Sequence, residues 1–379
     1  MPLTATRIAA DTATVTVASQ MEEIAEWSRR YFGDWWNATT AKTPTEGGIA
    51  GDGGGLVLAD LDPGRVDDVH TLVRDYGFDE TVYANARTLV SRQDGVTYAV
   101  QPDERLAYQA DGRRLVIVGE HPEPVAVAAA RLARELVRAQ LLADGWTVLH
   151  ASAAVKDGRT VLTLGDKGAG KTTTALLLAR QGWGLLANDR VFARAEEDGT
   201  VRVLPWPSAA AIGLGLLEAT GLYHQVRERV LAGEQLHPTQ HPTVTQALND
   251  GRREPIWREN GDRKELKPQF FPDQLGTWLG LTLVTEATAA GLLFPTVNPE
   301  ASPAILEDDR ALTEGDVFST TTEDRYPDIF RLIPATAPDN TADLVEQLGQ
   351  LPHRSLMLTH DTDANSALLA KTADDITAL

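Results

Sequence analysis

The sequence predicts an α/β fold divided into more than one domain, and three observations carry that expectation. At 379 residues the chain exceeds the roughly 100 to 200 residues of one domain. From residue 146 onward, short apolar runs and a helical pattern follow one another as strand, strand, loop, helix, strand, which implies helices packed on a mixed or mostly parallel sheet. Apolar residues make up 42% and charged residues 23%, ordinary usage for a chain able to build a large core.

Taken in order, ATVTVAS (13–19) alternates as a strand does, and MEEIAEWSRRYFGDWW (21–36) has helical spacing with acids in its first turn. The aromatics of RYFGDWW are assigned to core or domain contact rather than to a ligand. Residues 47–61 form a glycine-rich loop running into a strand. Those glycines precede the strand instead of joining strand to helix, so a dinucleotide-binding turn is not expected there. A helix over 66–78 and the strands TVYANAR, GVTYAVQ and RRLVIVGE complete a small N-terminal α/β module, residues 1–122. HPEP (121–124) marks the joint, and an Ala-rich helix over 125–145 opens the second domain, residues 123–379. Its apolar spacing demands a partner surface, which the following sheet could supply. The strands WTVLHASAAV and RTVLTLG, the loop DKGAGK, the helix TTTALLLARQG and the strand WGLLAND come next. Past residue 200 the pattern loosens into an irregular C-terminal lobe with later strands LTLVTEA, AGLLFPTV and HRSLMLTHD and a final helix SALLAKTADDITAL.

Charge narrows the partners. Thirty-five Lys and Arg against fifty-four Asp and Glu leave a net charge of −19, a field that repels phosphate backbones and anionic lipid, so neither nucleic acid nor a membrane is expected. The absence of Cys excludes disulfides, thiolate metal sites and a Cys nucleophile. The first twenty residues lack a basic region followed by an apolar run, and no stretch approaches 18 uninterrupted apolar residues. A cytoplasmic protein is the expectation.

The chemistry concentrates in residues 163–192. Gly165, Gly170, Lys171 and Thr172 fit G-x-x-x-x-G-K-[ST], and the motif sits between a strand and a helix, where its mechanism requires it. Glycines let backbone N–H groups close around phosphates, the helix N-terminus adds its positive end, the lysine bridges the β and γ oxygens, and the threonine hydroxyl ligates Mg²⁺. The expected nucleotide contacts are Gly165, Asp166, Lys167, Gly168, Ala169, Gly170, Lys171, Thr172 and Thr173. Asp189 ends the strand that follows the helix, where a parallel strand–helix–strand return brings its carboxylate beside the loop to share the metal with Thr172. His150 lies on the strand one hairpin upstream. ATP and Mg²⁺ are the expected cofactors. The motif alone does not separate a kinase from a switch GTPase or a motor.

The stretch LHASAAVKDGRTVLTLGDKGAGKTTTALLLARQGWGLLANDRVF resembles the HPr kinase/phosphorylase family and its bacterial relatives, including the kinases of lasso-peptide clusters. That family carries a His on the strand before the loop, a loop beginning Gly-Asp, and a strand ending in paired acids. The resemblance covers about residues 147–193. It implies a P-loop kinase core of the HPr kinase and phosphoenolpyruvate carboxykinase type, with Gly165, Asp166, Gly168, Gly170, Lys171 and Thr172 at the phosphates and Mg²⁺. It also implies Asp189 as the metal-side acid and His150 near the acceptor, orienting the catalytic acid or sharing its proton. The chain departs from the family at Asn188, which stands where the family has the proton-accepting acid. An amide cannot usefully accept that proton, although it can orient a hydroxyl. His150 could substitute as base.

The resulting expectation is an ATP- and Mg²⁺-dependent phosphotransferase acting on a small molecule or peptide, with catalytic residues His150, Lys171, Asn188 and Asp189. The alternative is a nucleotide-binding sensor or regulator that transfers no phosphate, which Asn188 favours. An N-K-x-D base-reading motif is missing from the sequence. Three further groups are candidates: a zinc site at His224, His237 and His241; a basic segment (Arg252, Arg253, Arg258, Arg263, Lys264, Lys267) closing over phosphates; and Glu286 as a second acid near the metal. Pro238 argues against the first. The acceptor and the oligomeric state, a homo-oligomer included, are left open.

Overall fold

A computed structural model describes residues 3–41, 54–258, 265–307, 310–313, 316–317 and 327–378. The chain is mixed α/β and divides into two compact units, Met1–Trp146 with Phe318–Asp339, and Thr147–Val317 with Asn340–Leu379.

The first unit runs β1 (Thr4–Ala10), β2 (Ala13–Ser19), α1 (Glu22–Phe32), a 3-10 turn (Gly33–Trp36), β3 (Thr39–Ala41), β4 (Gly55–Leu61), α2 (Pro63–Tyr76), β5 (Asp79–Tyr83), β6 (Ala86–Gln93), β7 (Val96–Gln101), β8 (Leu106–Asp111), β9 (Arg114–Gly119) and α3 (Pro122–Ala143). Its strands form one sheet in the order β3-β1-β2-β4-β9-β8-β7-β6-β5. Asp62 caps α2 by accepting from the Arg65 amide, and Val66, Val69 and Val73 of that helix pack on Leu89, Val100, Ala107 and Val118. Tyr31, Phe32, Trp35 and Trp36 are buried, with Phe32 and Trp36 stacked at 5.4 Å, so the aromatic run is core.

Helix α3, expected with the second domain, packs instead on α1, β2 and β4 in the first. Its apolar face does need a partner surface, and the sheet that precedes it in the chain supplies one. Gln140 Nε2 donates to the Thr14 carbonyl at 3.2 Å, and Glu135 accepts from Arg134 and Arg138. The division therefore follows Trp146 rather than residue 122.

The second unit runs β10 (Thr147–Leu149), β11 (Ala151–Lys156), β12 (Arg159–Leu164), α4 (Lys171–Arg180), β13 (Gly184–Ala187), β14 (Val191–Ala195), β15 (Val201–Pro205), β16 (Ala210–Ala211), α5 (Leu214–Ala219), α6 (Tyr223–Leu231), α7 (Pro242–Asn249), β17 (Ile256–Trp257), β18 (Glu265–Leu266), β19 (Gln269–Phe270), α8 (Pro272–Thr277), β20 (Ala287–Val297), β21 (Ala304–Leu306), α9 (Thr341–Gly349), β22 (His353–Leu358) and α10 (Thr362–Thr377). The main sheet follows β10-β14-β15-β20-β12-β11-β13, with β22 joining β20 and β21 joining β22. The β12–β20 and β20–β22 ladders are parallel. Leu177 and Leu178 of α4 and Leu369, Ala373 and Ile376 of α10 pack on Val161, Leu293 and Leu356 of the sheet. Leu344 and Leu348 of α9 join a separate cluster with Leu162, Leu164, Leu292 and Phe294. Each buried leucine contributes about 2 kcal/mol.

Two local departures from regular sheet position the site. WTVLHASAAV, expected as one strand, is broken at His150: β10 pairs with β14, whereas β11 pairs with β12 and β13. The other break lies at Asn188, Asp189 and Arg190, between β13 and β14. The ladder leaves off at Leu149↔Val191 and resumes at Ala153↔Ala187, so His150 faces an opening across from the Asn188–Arg190 turn. The expected parallel return is present in direction, but β11 stands between β12 and β13.

Candidate functional site

The phosphate-type loop leaves the end of β12 and enters α4. Gly165, Gly168 and Gly170 have φ of 147°, 90° and 105°, conformations that a side chain disfavours. Gly170 is the N-cap residue of α4 and offers no side-chain cap, so the first-turn amides face the loop. Lys171 is buried, and its Nζ donates to the carbonyls of Gly165 at 2.6 Å and Asp166 at 3.2 Å. The ammonium is thereby fixed on the backbone of its own loop. Ser152 Oγ donates to the Lys171 carbonyl at 2.7 Å, tying β11 to the start of the helix.

Gly170 illustrates how tightly this cradle is built. A β-carbon there would lie 3.2 Å from Val297 Cγ2 and 3.3 Å from Leu358 Cδ1, on a backbone already at positive φ. Gly170→Ala is expected to cost about 1–3 kcal/mol through backbone strain and crowding. A thermal melt by circular dichroism checks this, and an unchanged midpoint contradicts it.

Across the cradle, Thr172 Oγ1 approaches the Asn188 carbonyl at 3.4 Å, which sets the first turn of α4 against the β13–β14 break. There Asp189 bridges the opening: its Oδ1 lies 3.2 Å from His150 Nε2, and its Oδ2 lies 3.7 Å from Arg190 Nε. Arg190 also lies over the Trp206 ring at 5.8 Å. Burial opposes ionisation of Asp189, yet the His150 hydrogen bond and the charges of Arg190 and Lys171 outweigh it and hold the carboxyl below its ordinary value. Its side chain remains 42% exposed, so it stays within reach of a ligand. The buried Asn188 sits beside it. The loop and the Lys171, Thr172, His150, Asn188 and Asp189 group thus share one end of the sheet.

The residues fit a nucleotide-held magnesium. Mg²⁺ normally takes one or two protein oxygens and completes its shell with water and phosphate. Thr172 and Asp189 supply that number, and among the described residues no group of three His, Cys, Asp or Glu could form an all-protein cage.

Other expected groups lie elsewhere. Glu286 pairs with Arg202 at 3.1 Å beside a cavity of about 630 Å³ that includes Gly158, at the start of β12 rather than its loop end. His224 lies 3.0 Å from Arg253, His237 contacts Thr239, and His241 caps α7, so the three histidines have separate local partners. Arg253 also pairs with Glu218 and Lys267 with Glu265, the behaviour of a self-neutralised loop. Arg263 and Lys264 lie outside the described residues. Sequence reading missed Arg310, whose Nη1 would stand 3.9 Å from a β-carbon on Gly165. It belongs to no local motif, so only the fold brings it to the loop.

No protein-family model matches the chain. Over 65 residues it is 45% identical to proteins named HPr kinase/phosphorylase from three strains of Streptococcus thermophilus. That stretch is 17% of this chain and 20% of each relative, so the similarity spans a fifth of their length and supports a distant, local relationship. Among the described residues no helix is long and apolar enough to cross a membrane.

Proposed function

We propose that this protein is an ATP- and Mg²⁺-dependent phosphotransferase with an HPr-kinase-like P-loop core, acting on a small molecule or a peptide. The observation that carries the reading is the convergence of the Lys171 cradle, the Thr172 hydroxyl and the His150–Asp189 pair at one break in the sheet. The local likeness to HPr kinase/phosphorylase agrees with it.

Loop amides and Lys171 hold the phosphates, and Thr172 with Asp189 would hold Mg²⁺, which neutralises charge on the β and γ oxygens when bound. An acceptor hydroxyl attacks the γ phosphorus; its oxygen forms the new P–O bond as the bond to the β–γ bridging oxygen breaks and ADP leaves. An ionised Asp189 carboxylate can only accept at its contact with His150 Nε2, so in this reading the imidazole carries its hydrogen there and Nδ1 takes the acceptor proton. Asp189 therefore orients the base, while Asn188 orients the acceptor through its amide.

Asn188 also favours a second reading, a nucleotide-dependent regulator without transfer. The two separate in one substitution. Asn188→Asp restores a carboxylate where base catalysis typically supplies about 10²- to 10⁴-fold. With His150 already serving in part, the expected gain in transfer rate is about tenfold, read with labelled ATP against a panel of metabolites and peptides. A pure binder gains no transfer from the substitution and shows only altered affinity.

A further inference from the structure

Arg310 follows β21 and reaches the loop from outside it. Its Nη2 donates to Asp316 Oδ1 at 2.8 Å, and its guanidinium carbon lies 4.2 Å from the centre of the Phe294 ring on β20. Asp316 is buried and also accepts from the amide and hydroxyl of Thr313 at 3.1 and 3.2 Å. The Asp316 carbonyl in turn accepts from the His150 amide at 3.3 Å. The carboxylate that steadies Arg310 is therefore built into the same strand break that carries the His150–Asp189 pair.

Lys171 Nζ donates to the Gly165 carbonyl, and Arg310 Nη1 would lie 3.9 Å from a β-carbon placed on the same glycine. Two cations from distant parts of the chain thus flank one residue of the cradle. A lysine in such a loop bridges the β and γ phosphates, so with a nucleotide bound the Gly165 edge would face the terminal phosphate. A guanidinium carries five N–H donors in a planar fork that suits phosphate oxygens, and the Phe294 face orients that plane. The side chain is 37% exposed, which leaves it room to turn toward a ligand.

We infer that Arg310 reads the terminal phosphate of the bound nucleotide and makes the site discriminate a nucleoside triphosphate from a diphosphate. The inference rests on the loop being a nucleotide cradle, and the experiment separates the two. The full chain is titrated by calorimetry with ATP and with ADP, both with Mg²⁺, as wild type, Arg310→Ala, Arg310→Lys and a surface control, Arg354→Ala. Loss of charge-assisted hydrogen bonds to the terminal phosphate should weaken ATP binding about 10- to 100-fold in Arg310→Ala and leave ADP within about threefold. Arg310→Lys, a point charge without the fork, should fall between, and Arg354→Ala should match wild type. Should Arg310→Ala not fold, Arg310→Lys makes the same comparison. An ATP-to-ADP affinity ratio unchanged in the Arg310 variants, or equal weakening of both nucleotides, overturns the inference alone. Wild type binding neither nucleotide overturns the cradle and the inference with it.

Discussion

Lys171→Met should lower phosphoryl transfer by about 10³-fold or more, because it deletes the ammonium held on the Gly165 and Asp166 carbonyls while keeping most of the length of the side chain. Transfer of a phosphoryl group depends mostly on positioning and charge stabilisation, so losing a fixed cation at the β and γ oxygens acts on the dominant contribution to rate. Lys171 Nζ is held by the Gly165 and Asp166 carbonyls before any ligand arrives. The substitution removes the ammonium from both carbonyls, although the Asp166 carbonyl keeps the Ala169 amide at 3.1 Å, and adds a stability loss of about 1–3 kcal/mol. Transfer from labelled ATP measures the first effect and chemical denaturation the second. A folded Lys171→Met variant within tenfold of the wild-type rate would mean that the lysine does not touch the reacting phosphates.

Asp189→Asn should cost about 10²- to 10³-fold in kcat/KM, on the scale of removing one preorganised electrostatic contact. Two roles disappear together: the expected metal ligand beside Thr172, and the carboxylate that fixes the His150 imidazole. Raising Mg²⁺ should recover part of the rate in this variant and none in Lys171→Met, which separates a metal-side acid from a phosphate-side cation. The same substitution has a pH signature. Because the folded carboxyl ionises below its ordinary value, its stabilising contribution is complete above the unfolded value of about 3.9 and is lost as the pH falls through the depressed folded one. Acid unfolding followed by circular dichroism should therefore be shallower in Asp189→Asn. A rate indifferent to Mg²⁺ in both variants contradicts the assignment.

The strand, glycine-rich loop and helix of the proposed cradle were legible in the sequence because their determinants are local: glycines at fixed offsets, a lysine, and the apolar runs that flank them. The His150–Asp189 pairing was not, although both residues stood out. It depends on β10 and β11 choosing different partners, and on β13 and β14 separating opposite them. Those are long-range ladder choices that apolar periodicity does not encode, so WTVLHASAAV reads as one strand. For α3, amphipathic spacing showed that a partner surface was needed but not which sheet would provide it, and packing on β2 and β4 moved the division to the far end of the helix. Arg310 and Asp316 lacked any local pattern; β20, running parallel beside β12 with Phe294 near its end, explains how the chain beyond it returns to the loop.

Calorimetric titration of the full chain with ATP, in the presence and absence of Mg²⁺ and alongside Lys171→Met, bears most directly on the proposed phosphate cradle and the proposed metal-side acid. Saturable ATP binding that tightens with Mg²⁺ and vanishes in Lys171→Met is the expected result. Absence of binding by the wild type at millimolar ATP, or an affinity untouched by both Mg²⁺ and the loss of Lys171, would show that this loop is not where a nucleotide is held.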